Sequence, residues 1–301
     1  MAGGWRRIDG LDLDAFTLAR DQTHRGVQWL ARIARSFAPP SLDDSATAVE
    51  WSEEPPAADV PVDDRPLAAP AFRLFAPFPV DVPVIGRQLT AAYAPLGNRV
   101  WIGRPDRVAE TIALDRRDDD AVEAQIRTLL SRLGADAERF AMDLPYADEL
   151  PDAVSEIAPP DGVERLMDAF ANAHATLSTI AERAAGAGPL RVWPHHFDMA
   201  TLIALEPGGA TDGTNRSVGV GFFPGDDADA PYFYVTPWPY PSKDALPPAP
   251  SGLTWRTDAV TALVTPALDL MASRSGEGLL LSALDDGIAM CRRLLRAPAL
   301  A

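Results

Sequence analysis

The sequence predicts an α+β protein in which antiparallel sheets pack against long helices. Strand-like apolar segments occur in clusters and do not alternate strictly with helical segments, which favours antiparallel sheets over a doubly wound parallel sheet. The chain has 301 residues, enough for a single domain with a large core. The order of the elements also fits two similar lobes, 1–150 and 151–301, although no residue-level repeat supports a duplication.

Four segments have the spacing of apolar residues that predicts amphipathic helices. Asp14 can cap the first helix, and Pro39 and Pro40 end it. Gly134 occupies the position that commonly follows a helix end, just after the second helix. The three aspartates 118–120 look like a metal cluster, but a helix start stabilises negative charge and explains them better. The predicted helices cover residues 14–37, 118–133, 161–185 and about 281–295.

Strand-like runs fall on both sides of the third predicted helix. Residues 95–98, Pro-Leu-Gly-Asn, have the composition of a hairpin turn between two of these runs. Residues 53–70 are rich in proline and acidic residues and predict an extended connector. The strands are expected at 72–75, 89–94, 99–102 and 110–114, and after the helix at 190–193, 197–205, 217–223, 231–236 and 253–256.

The charge of the chain excludes two classes of partner. The chain carries 43 Asp and Glu residues against 27 Lys and Arg residues, a formal net charge of −16. Such a surface repels nucleic-acid phosphates and anionic lipid headgroups, so neither a nucleic acid nor a membrane is an expected partner. The sequence has no apolar stretch long enough to span a bilayer, and its first residues lack the apolar region and cleavage site of a signal peptide, so neither a membrane span nor a leader is expected.

The chemistry-bearing residues are few, and no motif names a reaction or a cofactor. The single cysteine, Cys291, lies on the apolar stripe of the last helix, and the lack of a disulfide fits a reducing cytoplasm. Any Schiff-base chemistry would have to use the single lysine, Lys243, whose sequence context predicts a solvated loop. The P-loop, the dinucleotide fingerprint, the G-x-S-x-G elbow, HExxH and a CxxC pair are all missing from the sequence.

Two of the four histidines lie in the segment 191–200, RVWPHHFDMA. If this segment is extended, alternation puts His196 and Asp198 on one face and His195 on the other. His196 and Asp198 are therefore the candidate catalytic pair, with His196 as general base and Asp198 as its orienting partner. Two alternatives stay open: two ligands of a zinc, iron or manganese site, or hydrogen bonding within a half-buried sheet. Candidates for a third metal ligand are His24, His174, Asp226 and Asp229.

Aromatic residues are concentrated after this segment, and three of the five tyrosines fall within 232–240. Alternate residues of a strand line one sheet face, and Tyr and Trp combine apolar area with a polar group, which suits pockets and interfaces. Simple core packing is the alternative. The residues expected to bind a ligand beside the His–Asp pair are Trp193, His195, Tyr232, Tyr234 and Trp238.

Three segments resemble an uncharacterised bacterial protein family: WPHHFDMA (193–200), SVGVGFFPGD (217–226) and PYFYVTPWPYP (231–241). In that family a strand with a Trp-x-x-x-Phe-Asp-x-Ala motif follows a long helix, and a Pro-Gly turn and an aromatic strand ending in proline come next. The resemblance covers most of the chain and implies a similar architecture, but the family has no activity to carry over. The matching residues are Phe197, Asp198, Ala200, Pro224 and Gly225.

The sequence therefore predicts a cytoplasmic small-molecule enzyme, with hydrolysis as the default reaction, or a ligand-binding protein. Its pocket would lie on the carboxyl-terminal sheet. The first alternative is a non-enzymatic module that forms a homodimer through the aromatic surface 232–240. The second is a metal-binding protein. The ligand, the cofactor and the oligomeric state are left open.

Overall fold

A computed structural model describes residues 4–38, 45–53, 61–62, 65–66, 70–74, 78–79, 88–104, 107–146, 156–206, 215–258 and 260–296. The fold is α+β with antiparallel strands, as the clustering of strand-like segments predicts. The chain divides into two compact units. The amino-terminal unit comprises residues 12–167 and 192–197, and the carboxyl-terminal unit comprises residues 1–11, 168–191 and 198–301. Each unit is therefore made of more than one segment of the chain, whereas the predicted lobes, 1–150 and 151–301, are consecutive.

The amino-terminal unit contains the helices α1, Leu13–Phe37, and α2, Asp119–Leu133. The side chain of Asp12, rather than that of Asp14, caps α1 by accepting hydrogen bonds from two backbone N–H groups of the first turn. Asp118 caps α2 by accepting a hydrogen bond from the backbone N–H of Ala121, and Gly134 ends the helix with a φ of 85°. The predicted boundaries of both helices are confirmed within one residue, and the aspartate run serves the helix start.

The strands of this unit form an antiparallel sheet in the order β9-β1-β4-β6-β7-β8, with β5 beside β6, while β2 and β3 pair with each other. Residues 95–98 are the predicted turn between β6 and β7, in which Asn98 is left-handed with a φ of 43°. Most of the predicted connector 53–70 lies outside the described residues. The strands are β1 Val49–Ser52, β2 Pro61–Val62, β3 Arg65–Pro66, β4 Ala71–Leu74, β5 Phe78–Pro79, β6 Gln88–Ala94, β7 Arg99–Arg104, β8 Arg107–Ala113 and β9 Arg191–Trp193.

Helix α1 packs against this sheet and is buried along most of its length. Gly26 lets the ring of Tyr93 reach the helix backbone, since a Cβ at this position would lie 2.2 Å from the ring. The buried Arg25 is neutralised by Asp119 at the start of α2, at 2.7 Å, and also donates to the carbonyl of Arg117. Apolar packing and a paired charge therefore hold α1 and α2 in place.

The carboxyl-terminal unit contains α3, Pro160–Arg183, from residue 168 onward, and a sheet in the order β13-β14-β12-β11-β10. The predicted strands 197–205, 217–223 and 231–236 correspond to β10, β11 and β12, which pair antiparallel in chain order. Strand β14 and helix α4 were not predicted, and residues 207–214 between β10 and β11 lie outside the described ranges. The elements are β10 Asp198–Ala204, β11 Ser217–Phe223, β12 Tyr232–Trp238, β13 Thr254–Arg256, β14 Ala262–Pro266, α4 Ala267–Ala272 and α5 Gly276–Arg296.

One face of this sheet forms the core of the carboxyl-terminal unit. Helix α5 packs on β11 and β12, and Phe170 of α3 meets Phe222 edge-on at a centroid distance of 5.7 Å. Val218, Val220 and Phe222 of β11 are fully buried there. Cys291 is buried in α5, as its place on the apolar stripe of this helix predicts, and burial raises the pKa of its thiol to about 12. No helix in the described part of the chain combines the length and apolar character needed to cross a bilayer.

Candidate functional site

The second face of the carboxyl-terminal sheet carries the aromatic residues singled out in the sequence. In the register of the sheet, Ala200 lies opposite Gly221, and Gly221 lies opposite Tyr234. Because side chains alternate along a strand, Asp198, Tyr232, Tyr234 and Trp238 project from one and the same face. With the neighbouring Tyr240, these four residues form the surface that we call the aromatic face.

The hydroxyl of Tyr234 donates a hydrogen bond to Oδ2 of Asp198, two strands away. Gly221 on the intervening strand makes this reach feasible, since a Cβ there would lie 2.4 Å from the end of the Tyr234 ring. Burial raises the pKa of Tyr234 well above 10, and the negative charge of Asp198 and the hydrogen bond to it raise it further. Tyr234 is therefore a neutral phenol at pH 7 and holds the Asp198 carboxylate, which is 7% exposed, in a fixed position.

Tyr232 lies between Tyr234 and an ion-paired arginine. Its ring meets that of Tyr234 edge-on at 6.4 Å, and the guanidinium carbon of Arg256 lies 5.5 Å from its centroid. Arg256 in turn pairs with Asp229 at 2.7 Å and with Asp258 at 2.9 Å. Burial raises the pKa of Tyr232, Arg256 lowers it, and three surrounding carboxylates raise it again. Positive and negative charges therefore both act on the Tyr232 ring.

Trp238 and Tyr240 extend the aromatic face into solvent. Their side chains are 40% and 45% exposed, and their rings meet edge-on at 5.2 Å. Tyr240 also contributes to the raised pKa of Tyr234, which brings a further tyrosine near the Tyr234–Asp198 pair. Two of the predicted ligand-binding residues, Tyr232 and Tyr234, therefore adjoin one another, and Trp238 lies on the same face.

The segment between β9 and β10 differs from its predicted form. Residues 194–197 make a turn, with a φ of 55° at Phe197, whereas a continuous strand was expected from residue 197. The alternation that placed His196 and Asp198 on one face therefore does not apply. His196 is exposed in the turn, within the amino-terminal unit, and Asp198 begins β10 in the carboxyl-terminal unit. The catalytic pairing of these two residues stays a prediction.

The turn is held by side chains from α1. His24 Nε2 lies 2.6 Å from the carbonyl oxygen of Pro194, and since a carbonyl can only accept, this nitrogen carries the proton. Gln28 Nε2 donates to the same carbonyl at 2.8 Å, and the Tyr146 hydroxyl donates to Gln28 Oε1 at 3.0 Å. Burial lowers the pKa of His24 to about 4, so this histidine is neutral at pH 7.

His195 stands in an aromatic environment within the same turn. Its ring contacts His196 at 4.4 Å, Tyr146 at 5.4 Å and Trp193 at 6.1 Å. Burial, and then the neighbouring His196 and His24, lower its pKa to about 4, and its buried Nδ1 has no hydrogen-bond partner among the described residues. The structure thus brings the predicted ligand-binding residues Trp193 and His195 together, but in the amino-terminal unit.

The described residues contain no group of three His, Cys, Asp or Glu side chains placed to hold a metal ion. Two of the candidate third ligands have other roles. Asp226 accepts hydrogen bonds from the backbone N–H groups of Ala228 and Asp229 in its own turn. Asp229 pairs with Arg256. Asp226 therefore stabilises the turn between β11 and β12, and Asp229 links this turn to β13.

Three residues of the site were not identified from the sequence. No role was assigned to Gly221 from the sequence, although a glycine inside a strand can mark the close approach of another group. Arg256 comes from the edge strand β13, and no local signal connects it to Tyr232. Tyr240 was part of the aromatic concentration but was not assigned to the site.

Together, the fold and the site define an α+β protein with an aromatic, acidic sheet face. No protein-family model matches the chain, no curated protein is significantly similar to it in sequence, and no solved structure matches it significantly. Membership of the uncharacterised bacterial family stays a prediction from residues 193–241.

Proposed function

We propose that the protein binds a small organic ligand on the aromatic face. The observation that carries this proposal is the reach of Tyr234 across Gly221 to Asp198. This contact fixes a neutral hydroxyl and a carboxylate among partly exposed rings. Ligand sites commonly combine aromatic surface with a few well-placed polar groups, and this surface has that composition.

The two sides of the sheet support the assignment. The side that faces α5 supplies the apolar core of the unit, so the rings of the opposite side are not needed there. The solvent side of an antiparallel sheet is ordinarily polar, whereas this one presents tyrosine and tryptophan. Clustered apolar surface of this kind usually marks a site of interaction.

The proposal includes a compartment and excludes some partners. The buried Cys291 and the lack of any second cysteine for a disulfide fit the reducing cytoplasm. The net charge of −16 opposes binding to nucleic acids and to anionic membranes. A small molecule is therefore the favoured ligand class.

Ligand-observed NMR with a library of neutral, anionic and cationic fragments tests the proposal. We expect fragments that bind the wild type to lose affinity for Trp238→Ala and Tyr234→Phe, and to keep it for Leu279→Ala. Leu279 is a matched control, because it is 57% exposed but lies on α5, outside the aromatic face. The proposal is overturned if no fragment binds, or if all three variants bind like the wild type.

Self-association is a second candidate, favoured by the exposure of Trp238 and Tyr240. Exposed aromatic side chains are enriched at the centres of protein interfaces. Size-exclusion chromatography with light scattering separates the two functions. A wild-type dimer that becomes a monomer in Trp238→Ala supports an interface, whereas an unchanged monomer mass with lost fragment binding supports the ligand site.

A further inference from the structure

We propose that the ligand of the aromatic face is an organic cation, such as a quaternary or primary ammonium compound. This inference rests on the proposed function and names its ligand class. Two independent features of the face carry it: the sign of the surrounding charge and the orientation of the rings.

The charge around Tyr232 is predominantly negative. The carboxylates of Asp198, Asp226 and Asp229 lie close enough to influence its phenol, and they are opposed by the guanidinium of Arg256. Asp258, which also pairs with Arg256, adds a further carboxylate. A cation is therefore attracted to this surface, and an anion is repelled from it.

The rings present their faces in different directions. Tyr232 and Tyr234 are inclined by 65° to each other, and Trp238 and Tyr240 by 82°. The face of an aromatic ring carries negative partial charge, and sites for ammonium ligands are commonly walled by several rings at steep angles to one another. The protein already places one cation against such a ring, since Arg256 lies over Tyr232.

A pair of isosteric probes separates charge from shape. Choline and 3,3-dimethylbutan-1-ol have the same branched head and the same hydroxyl, but only choline is charged. We expect choline to bind about tenfold more tightly than the alcohol in NMR titrations at low salt, because each exposed ring contributes a modest cation–π attraction. This preference should decrease as salt screens the carboxylates.

Three substitutions test the origin of the preference. Asp226→Asn removes a charge but keeps an oxygen that can accept the hydrogen bonds from Ala228 and Asp229, and it should weaken choline binding about twofold. Arg256→Gln removes the competing cation and should strengthen choline binding about two- to threefold. Asp286→Asn is the matched control, because Asp286 is exposed on α5, and it should leave choline binding unchanged.

The outcomes distinguish this inference from the proposed function. If the wild type binds neutral or anionic fragments on the aromatic face but prefers the alcohol to choline, or does not distinguish them, the cation inference fails and the proposed function stands. Weaker choline binding in Arg256→Gln also contradicts the inference. If neither choline nor any fragment binds, both proposals fail.

Discussion

The imidazole of His24 lies parallel to the ring of Phe197, with centroids 5.0 Å apart and an angle of 8° between the planes. Phe197 has a φ of 55°, a left-handed conformation that aromatic residues seldom adopt. The stacking, together with the contact of His24 with the Pro194 carbonyl, compensates for this strain. The turn 194–197 is therefore held by a histidine of α1, which burial keeps neutral at pH 7.

The first prediction is a loss of stability in mild acid. His24 and His195 have folded-state pKa values of about 4, below the ordinary value of 6.5, because burial disfavours their charged forms. The unfolded chain takes up protons below about pH 6.5 and the folded protein does not, so this stability is complete above that pH and is lost toward about pH 4. Urea denaturation should show a loss of about 2 kcal/mol per histidine between about pH 7 and pH 5.

Matched histidine variants identify the source of this acid sensitivity. His195→Asn should remove the contribution of one histidine to the loss of stability in acid. The substitution breaks no hydrogen bond of Nδ1, because this buried atom has no partner among the described residues. His196→Asn, at the exposed neighbouring position, serves as the control. An unchanged pH dependence in His195→Asn contradicts the prediction.

The second prediction concerns the hydrogen bond between Tyr234 and Asp198. Tyr234→Phe removes the hydroxyl that donates a hydrogen bond to the Asp198 carboxylate. The free energy of unfolding should fall by about 1–3 kcal/mol. Tyr240→Phe is the control, because Tyr240 is 45% exposed and should change stability by less than about 0.5 kcal/mol. If Tyr234→Phe and Tyr240→Phe have equal stabilities in urea denaturation, this prediction is wrong.

The third prediction is alkaline destabilisation. The folded-state pKa values of Tyr93 and Tyr234 are raised, mainly by burial, so the folded protein keeps protons that the unfolded chain releases above about pH 10. Stability is therefore lost as pH rises, by about 1.4 kcal/mol per pH unit for each tyrosine. Tyr234→Phe should remove the contribution of one tyrosine to this slope, as measured by chemical denaturation at several pH values. If the variant has the same slope as the wild type, the prediction is wrong.

The fourth prediction concerns the glycine beneath Tyr234. Gly221→Ala places a methyl group 2.4 Å from the Tyr234 ring, so the ring must move and its hydrogen bond to Asp198 should break. We expect a loss of about 1–3 kcal/mol from this overpacking. Gly278→Ala is the control, since nothing lies within 4 Å of the new Cβ on α5 and alanine favours a helix, and it should stabilise by up to about 1 kcal/mol. Thermal denaturation measures both changes in stability. If Gly221→Ala does not change stability, the close packing of Tyr234 over Gly221 is contradicted.

The fifth prediction separates two roles of Asn98. This buried residue has a φ of 43°, donates to Asp115 at 2.6 Å and accepts from the Tyr93 hydroxyl at 3.0 Å. Asn98→Ala loses both hydrogen bonds and strains the backbone, and should cost about 2–4 kcal/mol. Asn98→Gly loses the same bonds but tolerates the left-handed conformation, so it should cost about 1 kcal/mol less. If urea denaturation shows that Asn98→Gly is less stable than Asn98→Ala, strain in the backbone does not explain the loss.

The sequence predicted those features that local chemistry determines. The limits of α2 follow from Asp118 and Gly134, which act on backbone groups within a few residues. The alternation along β12 likewise placed Tyr232, Tyr234 and Trp238 on one face. Strand β1, Val-Glu-Trp-Ser, was not predicted, and it directly adjoins the segment 53–70 that the sequence assigned to an extended connector.

The remaining features depend on contacts between distant parts of the chain. The turn at 194–197 is held by His24 and Gln28, about 170 residues earlier in the sequence. The pairing of Tyr234 with Asp198 spans 36 residues and needs the register of two strand pairs. No local pattern encodes such registers, so the sequence could not predict the hydrogen bond between Tyr234 and Asp198.

The first residues of the described chain belong to the carboxyl-terminal unit. The backbone N–H of Arg6 donates to Asn172 Oδ1 at 2.8 Å, and that of Ile8 donates to the Met271 carbonyl at 3.1 Å. Translation produces these residues before either partner. The hydrogen bond of Ile8 can form only after Met271 has been synthesised, so this part of the unit closes late in biosynthesis.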